Sequence, residues 1–276
     1  MAVTLGPSSP DADIHPIATG PAKEVVEKHS SEQPFKFYAG WFCPGILTMG
    51  VGSIFLNFQV DVQKTWIVLE EKQIPYQYIE VNASLDPSSL LSLNPRGPIP
   101  TLYCPQPNGS KPLYESNIIN EYLDDVFSSH QPHLFPLDPY KKARAKTWVD
   151  FVTSRIIPSF NRFLQAQGEG EIAKAHNEFL GHLKEFIDAM DSSGPYFFGE
   201  DFTMPDVALA PWAMRLWLLD HLKGGLRIPE PGEGGEDEQV WERWREWVDA
   251  VGSRNSVANT LSEKEYYLPI YKKIIG

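Results

Sequence analysis

The chain has 276 residues, of which 24 are Lys or Arg and 36 are Asp or Glu, so its formal net charge is −12. This negative charge argues against a nucleic acid or another polyanion as the main ligand. Hydrophobic residues make up 42% of the chain, which is enough for a sizeable core and excludes a disordered or fibrous protein. The length predicts two domains or one large one.

The cysteine content and the N-terminus predict a cytoplasmic protein. Two cysteines, Cys43 and Cys104, cannot form the disulfide framework of a small secreted domain. The first 20 residues lack the basic start and the apolar core of a signal peptide. Residues 1–33 are rich in Pro, Ser, Ala and acidic residues without sustained periodicity, which predicts a flexible extension.

Strands and helices alternate after Pro34. The patterns predict a strand at 35–39, a helix at 62–72, a strand at 76–81, a short helix at 86–93, a hairpin of 99–103 with 111–114, and a helix at 115–127. This order describes a small α/β domain in which a parallel strand pair is followed by an antiparallel hairpin. It is the thioredoxin-like arrangement.

The second half of the chain is predicted to be helical. A proline-rich linker at 130–140 precedes amphipathic patterns at 140–167, 170–192, 204–222 and 239–251. Thr203 and Asp206 have the spacing of an N-terminal capping box, which is a folding signal. The acidic, Gly-rich stretch 227–238 is typical of a solvated loop.

Cys43 and Pro44 follow the first predicted strand and form the candidate catalytic motif. A cysteine at the start of a helix has its thiolate stabilised by free N–H groups and the helix dipole, and proline suits the first helical position. Ile46 stands where a dithiol motif has its second cysteine, so an external thiol is needed to resolve a mixed disulfide. A buried, inert cysteine is the alternative interpretation.

Two further segments predict a site for a peptide-like ligand. In the segment NPRGPIPT at 94–101, Pro100 directly precedes a predicted strand, which is typical of a cis bond that presents the backbone of Ile99 to a peptide. Glu115 supplies an acceptor for an ammonium group, and Ser116 opens a helix whose N-terminus suits a carboxylate. Together these groups suit the α-amino acid end of a ligand.

With these motifs the chain resembles the glutathione transferases from Pro34 onward. The resemblance lies in FCP at 42–44, NPRGPIPT at 94–101, LYESNIINEYLDD at 113–125 and FGEDFTMPDVALAPW at 198–212. The Cys-Pro motif, the Leu-Tyr-Glu-Ser string and the pair Pro211-Trp212 resemble the omega class in particular. The resemblance implies a thioredoxin-like domain at 34–129, an all-helical domain at 138–276, and a homodimer.

The resemblance also implies an activity, that of a glutathione-dependent thiol transferase or dehydroascorbate reductase acting on a small hydrophobic or oxidised acceptor. Glutathione would be the co-substrate, and Cys43 would form a mixed disulfide with it. Ile99 would pair its backbone with the cysteinyl unit ahead of cis-Pro100, while Glu115 and Ser116 would hold the γ-glutamyl end.

One position departs from the omega pattern. That pattern has a lysine near the start of the second helix to meet the glycine carboxylate, whereas this chain has Asp86 there. Arg96 is the expected substitute.

Residues 45–60 interrupt the resemblance, because deleting them restores FCPDVQKTWIVLEEK. The segment is either a retained intron that keeps the reading frame or a genuine insertion. With 16 residues and three glycines it is short for a membrane span, which needs about 20 apolar residues. If it is present in the folded protein, Cys43 no longer lies at the start of the 62–72 helix, and its pKa could return to that of an ordinary thiol.

The sequence leaves two other functions as alternatives. One is a glutathione-conjugating transferase acting on an electrophilic metabolite. The other is a catalytically silent interaction protein that keeps the fold and has lost a competent thiolate. No metal is predicted, since the seven histidines do not cluster with other ligands at metal spacing.

Overall fold

A computed structural model describes residues 15–41, 61–81, 94 and 99–275 of the chain. The contacts divide the chain into two compact units. The sheet unit comprises 1–62, 75–116 and 259–276, and the helical unit comprises 63–74 and 117–258. The short helix predicted at 86–93 lies outside the described residues. Within the described ranges, no helix combines the length and the apolar character needed to cross a membrane.

The sheet unit contains a four-stranded sheet. Its strands are β1 Lys36–Ala39, β2 Gln77–Glu80, β3 Thr101–Cys104 and β4 Lys111–Tyr114, in the order β2-β1-β3-β4. Strands β1 and β2 run parallel, and β3 runs antiparallel to both β1 and β4. Phe37 lies opposite both Tyr78 and Leu102, and all three are buried. This topology confirms the predicted thioredoxin-like arrangement.

The N-terminal segment contains a helix, α1 Gly20–Lys28, so the flexible extension predicted for 1–33 is wrong over these residues. Just before α1, the backbone N–H of Thr19 donates to Ser262 Oγ at 3.2 Å, and its hydroxyl accepts from the backbone N–H of Glu263 at 3.2 Å. Ala22 is completely buried. The helix is therefore stabilised by contacts with residues more than 240 positions later in the chain, which its own periodicity does not reveal.

Trp41, just after β1, contacts both the N-terminal segment and the C-terminal helix. Its indole Nε1 donates to the backbone oxygen of His15 at 2.9 Å, and its ring packs edge-on against Tyr267 with centroids 5.4 Å apart. Tyr267 belongs to the last helix, Lys264–Ile275. The structure groups this helix with the sheet unit, whereas the sequence assigns it to the predicted helical domain.

Helices account for most of the helical unit. In chain order they are α2 Asp61–Glu71, α3 Ser116–Val126, α4 Pro139–Phe151, α5 Ile157–Gln165, α6 Glu169–Asp188, α7 Met204–Ala213, α8 Trp217–Leu222, α9 Glu238–Gly252 and α10 Asn255–Ala258. The helix Lys264–Ile275 of the sheet unit is α11. The first residues of α2 and α3 fall in the sheet unit. A π-turn at Val152–Ile156 divides the predicted 140–167 helix, and the predicted 204–222 helix is interrupted after Ala213.

A buried ion pair fixes the proline-rich linker to the helical unit. Lys72 Nζ donates to Asp124 Oδ1 at 2.8 Å and to the backbone oxygens of His130 and Pro132 at 3.0 and 3.1 Å. The Asp124 carboxylate also accepts the backbone N–H groups of Leu134 and Phe135. The lysine side chain is fully buried and that of Asp124 nearly so. Because each charge meets several partners, burial of the pair is compensated.

The capping box predicted at Thr203 and Asp206 is present at the start of α7. Asp206 Oδ2 accepts the backbone N–H and the hydroxyl of Thr203 at 2.9 and 3.0 Å. Asp206 Oδ1 accepts the backbone N–H of Phe197 at 2.8 Å and the indole N–H of Trp247 in α9 at 2.7 Å. Burial raises the pKa of the Asp206 carboxyl, and these four donors oppose that effect. One side chain thus joins α7, α9 and the loop between α6 and α7.

We expect Asp206→Ala to lower the free energy of unfolding by roughly 3 kcal/mol or more, since three buried N–H groups lose their acceptor. Asp201→Ala is the matched control, because the side chain of Asp201 is exposed, and it should cost at most about 0.5 kcal/mol. Chemical denaturation of both variants measures the difference. Equal losses for the two substitutions would contradict the role assigned to Asp206.

Candidate active site

A small cleft in the sheet unit brings together the segments that the sequence singled out. It is lined by Asp61, Asn94, Ile99, Pro100, Tyr114, Glu115 and Ser116. Four of the predicted ligand-binding residues therefore share one cleft, although they come from two separate segments. Cys43 and Arg96 lie outside the described residues, and their roles stay predictions.

Three of the lining residues had no role in the sequence analysis. Asn94 opens the 94–101 motif and Tyr114 directly precedes Glu115, so their adjacency to the motifs was the available signal. Asp61 is the first residue of α2 and follows the extra segment at 45–60. Its place in the cleft depends on the tertiary fold, which brings the start of α2 close to the ends of strands.

The turn before β3 forms one wall of the cleft. The peptide bond between Ile99 and Pro100 is cis, as the sequence predicted, and β3 begins at Thr101. Ile99 is buried, and so is Asn94, whose side-chain amide donates to the Thr101 hydroxyl at 3.4 Å. The buried amide thereby connects the start of the motif to the strand that the motif enters.

The junction of β4 and α3 forms another part of the lining. Glu115 lies between them with a φ of 70°, in the left-handed region that non-glycine residues rarely adopt. Its side chain is exposed, whereas Ser116, the first residue of α3, is buried. The first N–H groups of a helix have no acceptor within it and favour an anion. An acidic side chain beside a helix N-terminus fits both the ammonium and the carboxylate of an α-amino acid.

Gly40 allows close packing at the end of β1, three residues before the predicted nucleophile. A Cβ at this position would lie 2.8 Å from the backbone oxygen of Val81 and 3.2 Å from Ile99 Cδ1. The first distance is too short for any real side chain. Only glycine therefore lets the end of β1 approach both the end of β2 and the turn that carries Ile99.

Glu80, the last residue of β2, contacts the same stretch of backbone. Its Oε1 accepts the backbone N–H of Trp41 at 3.1 Å. Burial raises the pKa of Glu80 to about 8, and the hydrogen bond from Trp41 partly opposes this rise. At neutral pH the folded protein therefore keeps this carboxyl largely protonated. A neutral acid bonded to Trp41, which lies two positions before Cys43 in sequence, was not evident before the fold was known.

Comparisons with known proteins agree with this architecture. A family model described as the glutathione S-transferase N-terminal domain matches residues 62–126, and one for the C-terminal domain of that family matches residues 169–250. Among curated relatives, probable glutathione S-transferase parC of Nicotiana tabacum is 35% identical over 207 residues, covering 75% of this chain and 86% of that protein. Glutathione S-transferase U17 of Arabidopsis thaliana is 36% identical over 155 residues, covering 54% of this chain and 65% of the relative.

Solved structures extend the similarity to nearly the whole chain. Glutathione transferase Omega 3C from Trametes versicolor has a TM-score of 0.76 and 36% sequence identity, and covers 94% of this chain and 97% of its own. Rice GST1 in complex with glutathione has a TM-score of 0.69 and 23% identity, and covers 89% of this chain and 97% of its own. At 23% identity, the similarity to the rice structure concerns the fold alone.

Replacement of Glu80 should change how stability depends on pH. An unfolded glutamate loses its proton near pH 4.5, while Glu80 keeps its proton in the folded state up to about pH 8. The folded state thus binds more protons between these values, so its stability falls as pH rises through this window. We expect Glu80→Gln to remove that decline, which amounts to at most about 5 kcal/mol for the full shift.

Denaturation midpoints measured from pH 4 to pH 9 test this expectation. Glu24→Gln is the matched control, because Glu24 is exposed in α1 of the same unit. The control should retain the pH dependence of the unsubstituted chain. A Glu80→Gln variant with the same pH dependence as the control would contradict the raised pKa.

Proposed function

This chain belongs to the glutathione S-transferase family, whose co-substrate is glutathione, and we propose that it is a thiol transferase of the omega type with Cys43 as its nucleophile. The observation that carries the proposal is the single cleft lined by Ile99, Pro100, Glu115 and Ser116. The Trametes versicolor structure named Omega 3C, 36% identical over nearly the whole chain, supports the subclass. The Cys-Pro motif at 43–44 supports it independently.

The cleft offers partners for both charged groups at the α-amino acid end of glutathione. The Glu115 carboxylate would attract the ammonium group, and the Ser116 hydroxyl with the first N–H groups of α3 would bind the α-carboxylate. The backbone of Ile99 would pair with the cysteinyl unit, in the manner of an added strand. Arg96 remains the proposed partner of the glycine carboxylate.

The proposed reaction is disulfide exchange in two steps. The Cys43 thiolate attacks the glutathione sulfur of a mixed disulfide, so that a protein–glutathione disulfide forms and the acceptor leaves as a thiolate that takes up a proton. The thiolate of a second glutathione then attacks the bound glutathione sulfur. Oxidised glutathione leaves, and the Cys43 thiolate is regenerated.

Glutathione conjugation is the second candidate function. It is favoured by the plant relatives that carry the name glutathione S-transferase at 35–36% identity. In that case glutathione itself attacks an electrophilic metabolite and the product is a thioether. Cys43 would then form no disulfide during turnover.

Alkylation of Cys43 by iodoacetamide, followed by mass spectrometry across pH, tests the proposed nucleophile. We expect a pKa below the ordinary thiol value of about 8.5, together with protection by oxidised glutathione. Glu115→Gln should leave the pH profile unchanged and weaken the protection about tenfold or more, since a charged acceptor is lost. A chain lacking 45–60 is measured in parallel.

The outcomes distinguish the candidate functions. If the Cys43 pKa is that of an ordinary thiol both in the full chain and in the chain lacking 45–60, the cysteine mechanism is overturned. If the Cys43 pKa is lowered only in the chain lacking 45–60, the activity belongs to that shorter chain. Assays with a glutathione mixed disulfide and with an electrophile then identify the product. Formation of a thioether without any oxidised glutathione would favour conjugation.

The proposal includes a homodimer in the cytoplasm. Among the described residues, four of the five large exposed apolar side chains lie between positions 118 and 140, namely those of Ile118, Val126, Leu137 and Tyr140. We propose that these side chains contribute to the dimer interface, since exposed apolar surface is typical of protein interfaces. The location follows from the resemblance, and microscopy of a tagged chain tests it.

Sedimentation equilibrium should give twice the chain mass of 31.2 kDa. We expect Leu137→Asp to shift the protein toward monomer, because the charge would be desolvated in the interface. Ile17→Asp, at an exposed apolar position of the sheet unit, is the control and should leave the mass unchanged. A monomeric unsubstituted chain at micromolar concentration contradicts the proposed dimer.

A further inference from the structure

The cleft of the candidate active site contains a second acidic side chain, which the proposed reaction does not use. Asp61 opens α2 and lines this cleft together with Glu115, which lies at the junction of β4 and α3. Both residues belong to the sheet unit. In the lining that the structure describes, these two side chains carry the only charges, and both charges are negative.

The free space in the cleft is small. Its volume is about 20 Å³, which accommodates one group of the size of a water molecule. Three of the lining residues, Ile99, Pro100 and Ser116, are buried. A space of this size with buried walls admits a single polar group at the end of a ligand, while the rest of the ligand lies outside it.

The charges of the lining decide which end group fits. Two carboxylates beside one small space repel each other and attract a cation. An ammonium group is close to water in size and donates three hydrogen bonds, so it can bond to more than one acceptor. Glu115 is exposed, and water and salt screen its attraction for a cation. Asp61 is only partly exposed, so its charge is screened less.

A role of Asp61 in the helix itself is the alternative. An acidic side chain in the first turn of a helix interacts favourably with the helix dipole, and Asp61 occupies that turn of α2. This interaction is the same whichever ligand the cleft holds. Recognition of an ammonium group, by contrast, matters only for ligands that carry one, which separates the two roles experimentally.

We propose that Asp61 is a specificity-determining residue of the cleft, which accepts the ammonium group of the γ-glutamyl unit together with Glu115 and so selects ligands with a free α-amino group. This proposal rests on the proposed function, in which the cleft binds glutathione. The second carboxylate makes the free amine a requirement for binding.

Isothermal titration of the full chain with S-methylglutathione and with its desamino analogue, in which hydrogen replaces the ammonium group, tests the proposal. Neither ligand has a free thiol, so neither reacts with Cys43. We expect S-methylglutathione to bind at least about tenfold more tightly than the analogue. Asp61→Asn should weaken binding of S-methylglutathione about tenfold and leave binding of the analogue within about twofold of its original value.

Two further variants serve as controls. Asp61→Glu keeps the charge and should retain the preference for S-methylglutathione. Glu24→Gln removes one negative charge at an exposed position of α1 in the same unit, so it should bind both ligands as the unsubstituted chain does.

An Asp61→Asn variant that keeps the full preference for S-methylglutathione overturns the proposal. Equal weakening of both ligands also overturns it, because Asp61 would then support the fold of the cleft and not recognise the ammonium group. If the unsubstituted chain binds neither ligand, the assignment of the glutathione cleft is itself wrong, and the role of Asp61 is overturned with it.

Discussion

The buried Asp206 carboxylate is the interaction on which the helical unit most depends. It takes up four donors that come from the loop before α7, from the first turn of α7 and from the indole of Trp247 in α9. A carboxylate removed from water is costly unless such donors surround it. Its pairing therefore requires that the helices and the loop reach their final positions together. The ion pair of Lys72 and Asp124 imposes the same condition on the linker.

The sheet unit depends instead on the two ends of the chain. Trp41 contacts both His15 and Tyr267, and Thr19 exchanges hydrogen bonds with the segment before α11. These contacts hold the backbone at the end of β1, where Gly40 permits the turn before β3 to approach. The predicted nucleophile follows this point directly in sequence. The geometry of the candidate active site is thus linked to residues far from it along the chain.

The cleft of the sheet unit combines an exposed acidic side chain with the N-terminus of α3, which suits a zwitterionic end group. The net charge of −12 did not predict this arrangement, because it sums over the whole chain.

By itself the sequence determined the order of strands and helices along the chain, the hairpin, the cis bond before Pro100 and the capping box of α7. Each of these follows from local residue chemistry or from a short repeating pattern. Only the tertiary structure decided that α1 is ordered, since the residues at its start bond to residues 261–263. It also decided that Asp61 joins Ile99 and Glu115 in one cleft. It also decided the pKa of Glu80, which depends on burial. These properties arise between residues distant in sequence, where local patterns carry no information.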